Sequence, residues 1–280
     1  MNTVSEALQQ AARSLVGHSD SPRLDAELLL GKILGLPRSG LIARGNESVA
    51  VECERQYASL IEQRRRGAPV AYLTGRREFW SLELSVSPAV LVPRPETEVL
   101  VELALERLPR ERPSSVLDLG TGSGAIALAI ASERPEVKVT GVEISRPALD
   151  VAMQNSRDLK IFNIEWRLGS WFSAVPGRRF DMIVANPPYV AAADPALEKL
   201  AAEPAIALCD GPTGLEALSA IAAGAAGHVH ERGWLILEHG ADQASAVAQL
   251  LERNGFEDIR THPDLSGKPR VTLGTAHSQH

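Results

Sequence analysis

Cysteine is scarce in this chain: Cys53 and Cys209 are the only two, and they stand far apart. That excludes a disulfide framework and a cysteine-rich metal centre, so both are expected to be small buried hydrophobes in a reducing compartment. No run of 18 uncharged apolar residues occurs, and the alanine-rich stretch 217–229 is too short to span a membrane. The opening Met1-Asn-Thr-Val-Ser-Glu6 lacks the basic-then-apolar layout of a secretion signal, so the expected location is cytoplasmic. A cationic excess is missing too. The net charge of −6 argues against gripping long nucleic acid through the whole surface. Residues 1–76 hold ten of the 29 Lys/Arg and eight of the 35 Asp/Glu, net +2, which leaves −8 for the rest. Within the first part, Arg64-Arg65-Arg66 reads first as a solvated helix end complementing the dipole and only second as a partner site.

What is present is a core. Hydrophobic residues make up 44% of 280, a length that suits one large domain with a smaller companion. Residues 1–73 read as a small helical domain. Val4, Leu8, Ala11, Ala12 and Leu15 recur at helical spacing, Asp20-Ser-Pro22 starts a second helix through Leu34, and a third stretch runs from Val49 to Arg66. Residues 74–92 follow as a linker in which Phe79 to Val86 alternates like a hairpin. The rest, 93–280, opens with a helix over 99–108. Strands are then predicted at 115–119, 138–143, 162–167, 180–185 and 233–238, with helices at 124–133, 146–156, 213–229 and 241–254 between them. Segments 256–261 and 270–273 close the set. That rhythm predicts an α/β fold with a doubly wound, mostly parallel sheet.

Chemistry gathers at two strand ends. Val116-Leu-Asp-Leu-Gly120-Thr121-Gly122-Ser123-Gly124 is a strand followed by a glycine turn, and the Ala/Ile/Leu helix comes next. Glu143 ends the second strand, where a carboxylate can accept both hydroxyls of a ribose. A dinucleotide site wants G-x-G-x-x-G beneath a pyrophosphate. Here the third glycine comes one residue early, and Asp118 would repel phosphate but favour a cation. The nucleoside expected is therefore S-adenosylmethionine, which carries a sulfonium and no phosphate.

The second strand end is Asn186-Pro187-Pro188-Tyr189, after the apolar run 180–185. Pro187 and Pro188 fix their own φ and push Asn186 and Pro187 into extended backbone. A planar –NH2 can then donate to the Asn186 side-chain oxygen and the Pro187 carbonyl while Tyr189 covers its face. Both motifs follow strand ends, so they can face each other across one crevice.

Together they resemble a class I S-adenosylmethionine-dependent methyltransferase acting on a planar nitrogen. Gly75-Arg-Arg-Glu-Phe79, Val92-Pro-Arg-Pro-Glu-Thr-Glu98, Glu203-Pro-Ala-Ile-Ala-Leu208, Leu237-Glu-His-Gly240 and Arg270-Val-Thr-Leu273 narrow this to the release factor glutamine methyltransferase family, over residues 5–274. The resemblance implies a Rossmann-like sheet with the last strand as an antiparallel edge, and an N-terminal domain that helps hold a release factor. It implies methylation of the glutamine amide in a Gly-Gly-Gln motif, with Arg94 to Glu98 bordering the cofactor. It also implies that Trp171 faces adenine, although Ser170 stands where the family often has an acid. Glu238 and His239 are expected to make structural hydrogen bonds only. An alternative substrate is an exocyclic amino group of adenine or guanine in DNA or RNA, which needs base flipping and a cationic track.

Overall fold

The computed structural model describes residues 2–110 and 112–277. The chain divides into two compact units, Met1–Arg76 and Arg77–His280.

The first unit is helical: α1 (Val4–Ser14), α2 (Pro22–Leu34), α3 (Arg38–Ala43), α4 (Val51–Arg65) and α5 (Val70–Thr74). Thr3 and Glu6 form a reciprocal capping box at the start of α1, Thr3 Oγ1 accepting from Glu6 N and Glu6 accepting from Thr3 N. Proline starts α2 and Gly35, at φ +64°, ends it. Val4, Leu8, Leu15, Leu29, Leu30 and Leu41 fill the unit's core. The basic run is answered within the unit. Arg64 pairs with the buried Asp25 at 2.7 Å, while Arg65 and Arg66 both pair with Glu62. The short helices α3 and α5 lie in stretches too brief for a periodic signal. Cys53 and Cys209 are half-buried, not core residues as expected.

The second unit opens with a hairpin, β1 (Arg76–Phe79) and β2 (Leu82–Ser85), then α6 (Glu98–Arg107). The hairpin turns at Trp80 and Ser81, both in the left-handed region at φ +52° and +58°. Glycine or asparagine ordinarily marks such a turn, so residue type did not reveal it and the first strand lies earlier than the alternation suggested. The segment is no free linker: Phe79 and Leu84 are buried in the core beside Leu100, Leu128 and Met182.

Next come β3 (Ser114–Leu119), α7 (Ala125–Glu133), β4 (Val137–Glu143), α8 (Arg146–Leu159), β5 (Ile164–Leu168) and β6 (Phe180–Ala185). They are followed by α9 (Ala196–Lys199), α10 (Glu216–His228), β7 (Val229–Glu238), α11 (Ala244–Arg253), β8 (Phe256–Pro263) and β9 (Pro269–Ala276). Among the described residues the sheet order is β5-β4-β3-β6-β7-β9-β8. The pairs from β5 through β7 are parallel, and β9 is antiparallel to both β7 and β8. The last strand is thus antiparallel as implied, but it is inserted between β7 and β8, and β8 forms the edge. A β8–β9 hairpin brings this about, because the returning strand takes the free side of β7.

Alternation along the strands feeds two cores. Val116, Met182, Val184, Ile236 and Leu273 face α6, α7 and the hairpin. Leu117, Ile183, Ala185, Leu235 and Leu237 face α10 and α11. Both faces are covered, which explains the near-continuous apolar strands. Phe79→Ala is expected to lower the second unit's stability by about 3–5 kcal/mol in a denaturant melt. A hairpin acting only as a linker would leave the midpoint unmoved.

Candidate functional site

Strand order reverses at β3: the chain runs outward to β4 and β5, then returns to lay β6 on the other side of β3. At such a point the loops leaving neighbouring strands part and open a crevice. Leu119 pairs with Ala185, so Gly120 and Asn186 leave the sheet side by side. A cavity of about 230 Å³ opens there, and its wall includes Gly120 to Ser123, Glu143, Ser170, Trp171, Asn186 and Pro188. Gly124 and Tyr189 stand outside that wall, and Pro187 lies between Asn186 and Pro188, which both line it. Gly124 lies behind it at φ +83°, where a Cβ would come within 3.0 Å of Trp166 and 3.1 Å of Leu128.

The glycine turn is tied to Glu143. Gly120 N and Thr121 N donate to the Val142 carbonyl, and Gly122 N donates to Glu143 Oε2 at 2.9 Å. Ser145 N donates to Glu143 Oε1 at 2.9 Å. Each carboxylate oxygen is fixed by one backbone amide and keeps a lone pair for a ligand hydroxyl. Trp171, held at φ +44°, lies along Gly120, where a Cβ would meet its ring at 3.4 Å.

Asp118 is fully buried beneath this turn. Thr121 Oγ1 donates to its Oδ2 at 2.5 Å, while its Oδ1 has no partner. Burial raises its pKa to about 7, against the lowering by hydrogen bonds from Thr121 and Ala127, and the nearby Glu143 charge raises it further.

Asn186 is oriented by Thr97, at the junction into α6: its Nδ2 donates to Thr97 Oγ1 at 3.1 Å. This leaves the side-chain oxygen for the cavity. Tyr189 is turned inward, its phenol donating to Glu238 Oε1 at 3.3 Å. Its carbonyl accepts from Gln243 at 3.0 Å, and a Cβ on Gly214 would lie only 2.3 Å from that oxygen.

One tie escaped sequence reasoning. Glu203, whose side chain is 3% exposed, pairs with Arg94 and accepts from Val92 N at 3.0 Å. It anchors the loop that lends Ile206, Ala207 and Asp210 to the wall. The Glu203-Pro204 motif was visible, but nothing in its spacing indicated a tie to Arg94. Glu238, 1% exposed, makes the structural hydrogen bond expected of it, accepting from the Tyr189 phenol.

The donor set suits S-adenosylmethionine. Glu143 can receive two hydroxyls, while Trp171 and the exposed Ile144 offer apolar surface for a base. The wall's acids, Glu143 and Asp210, outnumber Arg94, which Glu203 already engages. That balance fits a sulfonium and would repel a pyrophosphate.

Because its folded pKa is raised, Asp118 favours folding at low pH, and stability is lost as pH rises from 3.8 to about 7. Asp118→Asn removes that loss. The thermal-melt gain of the variant over the parent should therefore grow across this interval and level off above it. A gain that is constant with pH would contradict the assignment.

The family described as PrmC N-terminal domain matches residues 6–75, and Methyltransferase small domain matches residues 97–210. A release factor glutamine methyltransferase of Xylella fastidiosa is 48% identical over 254 residues, covering 90% of this chain and 92% of its own length. That of Escherichia coli K12 is 45% identical over 258 residues, 91% and 93% of the two chains. The Coxiella burnetii protein is 41% identical over 273 residues, 98% and 99% of the two chains. Among solved structures, the T. thermophilus 16S rRNA N2 G1207 methyltransferase in complex with AdoMet and guanosine aligns with a TM-score of 0.55 at 22% identity. It covers 72% of this chain and 50% of that one, and shares the fold. With a turn matched to a nucleoside at one strand end, a proline-braced asparagine at the next, and relatives this similar over nearly their whole length, the chain belongs to the release factor glutamine methyltransferase family.

Proposed function

We propose that this protein methylates the side-chain amide nitrogen of the glutamine in the Gly-Gly-Gln motif of peptide chain release factors, with S-adenosylmethionine as donor. The observation that carries the reading is Asn186, pinned through its nitrogen to Thr97 so that its oxygen is left for the cavity that Glu143 also lines. S-adenosylmethionine supplies an electrophilic methyl and needs no metal for the transfer.

The residues must solve a problem of aim. A carboxamide nitrogen shares its lone pair with its carbonyl and is a poor nucleophile. The substrate's N–H groups donate to Asn186 Oδ1 and the Pro187 carbonyl, which hold the nitrogen in line with the methyl. As the nitrogen gains positive charge, both hydrogen bonds strengthen, so their benefit grows toward the transition state. Alignment of this kind is worth up to roughly 7–11 kcal/mol. Glu143 fixes the ribose and Trp171 lies where adenine would pack. The helical unit, matched to the PrmC N-terminal domain over residues 6–75, serves to hold the release factor. The reading carries the cytoplasm as its location, since translation terminates there. No helix of the described residues is long and apolar enough to cross a membrane.

Incubation with labelled S-adenosylmethionine and a release factor should label the Gly-Gly-Gln glutamine. Equal labelling after that glutamine is changed to alanine, or transfer to nucleic acid instead, would overturn the proposal. Asn186→Ala should reduce turnover by at least about 100-fold, a misplaced nitrogen being that costly, while calorimetry shows cofactor binding largely retained. Glu143→Ala should do the reverse and weaken cofactor affinity about 100-fold through two lost charge-assisted hydrogen bonds.

A further inference from the structure

One buried carboxylate joins two stretches of the cavity wall. Glu203, in the loop between β6 and α10, has a side chain only 3% exposed, and its Oε1 accepts from Arg94 Nη2. Its Oε2 accepts from Val92 N at 3.0 Å. Arg94 lines the cavity, and its carbonyl accepts from Thr97 N at 3.1 Å, closing the turn that leads into α6. That same Thr97 orients Asn186. Arg94 therefore borders the cavity one turn away from the group that guides the reacting nitrogen. Among the described residues of the wall it is the only Lys or Arg.

We propose that Glu203 sets the preference of the cavity for S-adenosylmethionine over S-adenosylhomocysteine, its demethylated form, by cancelling the charge of Arg94. The two compounds differ by a methyl group and a positive charge at sulfur. Ribose, adenine, ammonium and carboxylate are common to both, so a contact to a shared group, such as that of Glu143, holds both alike. Discrimination has to come from what the wall does to the sulfonium. An unopposed guanidinium would repel it and leave the neutral thioether untouched, so spent cofactor would compete with fresh donor for the site. With Arg94 neutralised, the charges left on the wall are those of Glu143 and Asp210, which attract a cation. A cavity of about 230 Å³ is only a few side chains across. A wall charge thus acts on a charge inside it over a range that salt screens little.

Fastening the loop does not by itself call for a charge. Gln243 ties Tyr189 and Gly214 together with a neutral amide. A glutamine at 203 could accept the Val92 bond in the same way, and taking a carboxylate out of water is the more costly choice. What glutamine lacks is the negative charge, and Glu203 turns that charge on Arg94. The inference depends on the donor alone and stands whichever acceptor is methylated.

The test is calorimetry of the full-length protein with S-adenosylmethionine and with S-adenosylhomocysteine, read as the ratio of donor affinity to product affinity. Glu203→Gln should lower that ratio roughly 5- to 10-fold, the effect of one unit charge at close range. Arg94→Met leaves the carboxylate unopposed and should raise the ratio by a similar factor. The two substitutions together should return it to the parent's value. A carboxylate that only holds the loop would, when replaced, weaken both ligands in step. A ratio unmoved by Glu203→Gln, single variants that shift it the same way, or a double variant that keeps the Glu203→Gln ratio would each overturn the inference. If circular dichroism shows Glu203→Gln unfolded, Arg94→Met decides, and an unmoved or lowered ratio there overturns it. A parent that binds neither compound would remove the donor assignment and this inference with it. A parent that binds both, with a ratio the variants do not move, would remove this inference alone.

Discussion

The parallel pairing of β3 with β6 is the constraint on which the site depends. Both strands are buried on both faces, so a slip of one residue would drive a whole apolar set to the wrong side of the sheet. The register is therefore strongly specified by packing, and with it the positions at which the glycine turn and the proline turn leave. Neither turn needs to find the other. The glycine turn and the asparagine turn are brought to one crevice by hydrophobic burial some distance from either.

Rigid packing then gives way to polar detail. Two carboxylates, Asp118 and Glu238, are buried under the cavity, each with one oxygen lacking a partner. Such groups disfavour folding, and a sequence optimised for stability alone would not retain them. Their places, beneath the nucleoside turn and behind the asparagine turn, suggest what they are kept for. Local rules are broken here while the surrounding strands, caps and helices obey them.

The loop between β6 and α10 is held by comparable means. It carries little regular structure, yet Glu203 ties it to Arg94 and Val92, Val190 N donates to the Leu208 carbonyl, and Gln243 grips both Tyr189 and Gly214. These polar ties do for an irregular segment what side-chain interdigitation does for the sheet. The helical unit shows the opposite economy of charge. Its arginine run closes α4 as a mostly solvated helix end: Arg64 reaches the buried Asp25, while Arg65 and Arg66 stay exposed and pair with Glu62.

Much of this was legible in the residues. Apolar runs gave the strands of the sheet, Pro22 and Gly35 bounded a helix, and Gly120 to Gly124, Glu143 and Asn186 to Tyr189 marked the strand ends that meet at the cavity, because each depends on local conformation or residue chemistry. The Trp80–Ser81 turn was not, since a left-handed backbone there is imposed by the pairing of β1 with β2. Nor was the insertion of β9 between β7 and β8, since pairing order is a choice among strands of similar pattern. Tyr189 illustrates the division best. Its identity was plain, but whether its ring faced a substrate or its phenol reached inward to Glu238 depended on a residue 49 positions away. Sequence by itself determined which chemical groups the protein owns and which stretches are strand or helix. Only the tertiary structure decided which groups meet, because a buried carboxylate takes its partners from whatever packing brings within reach.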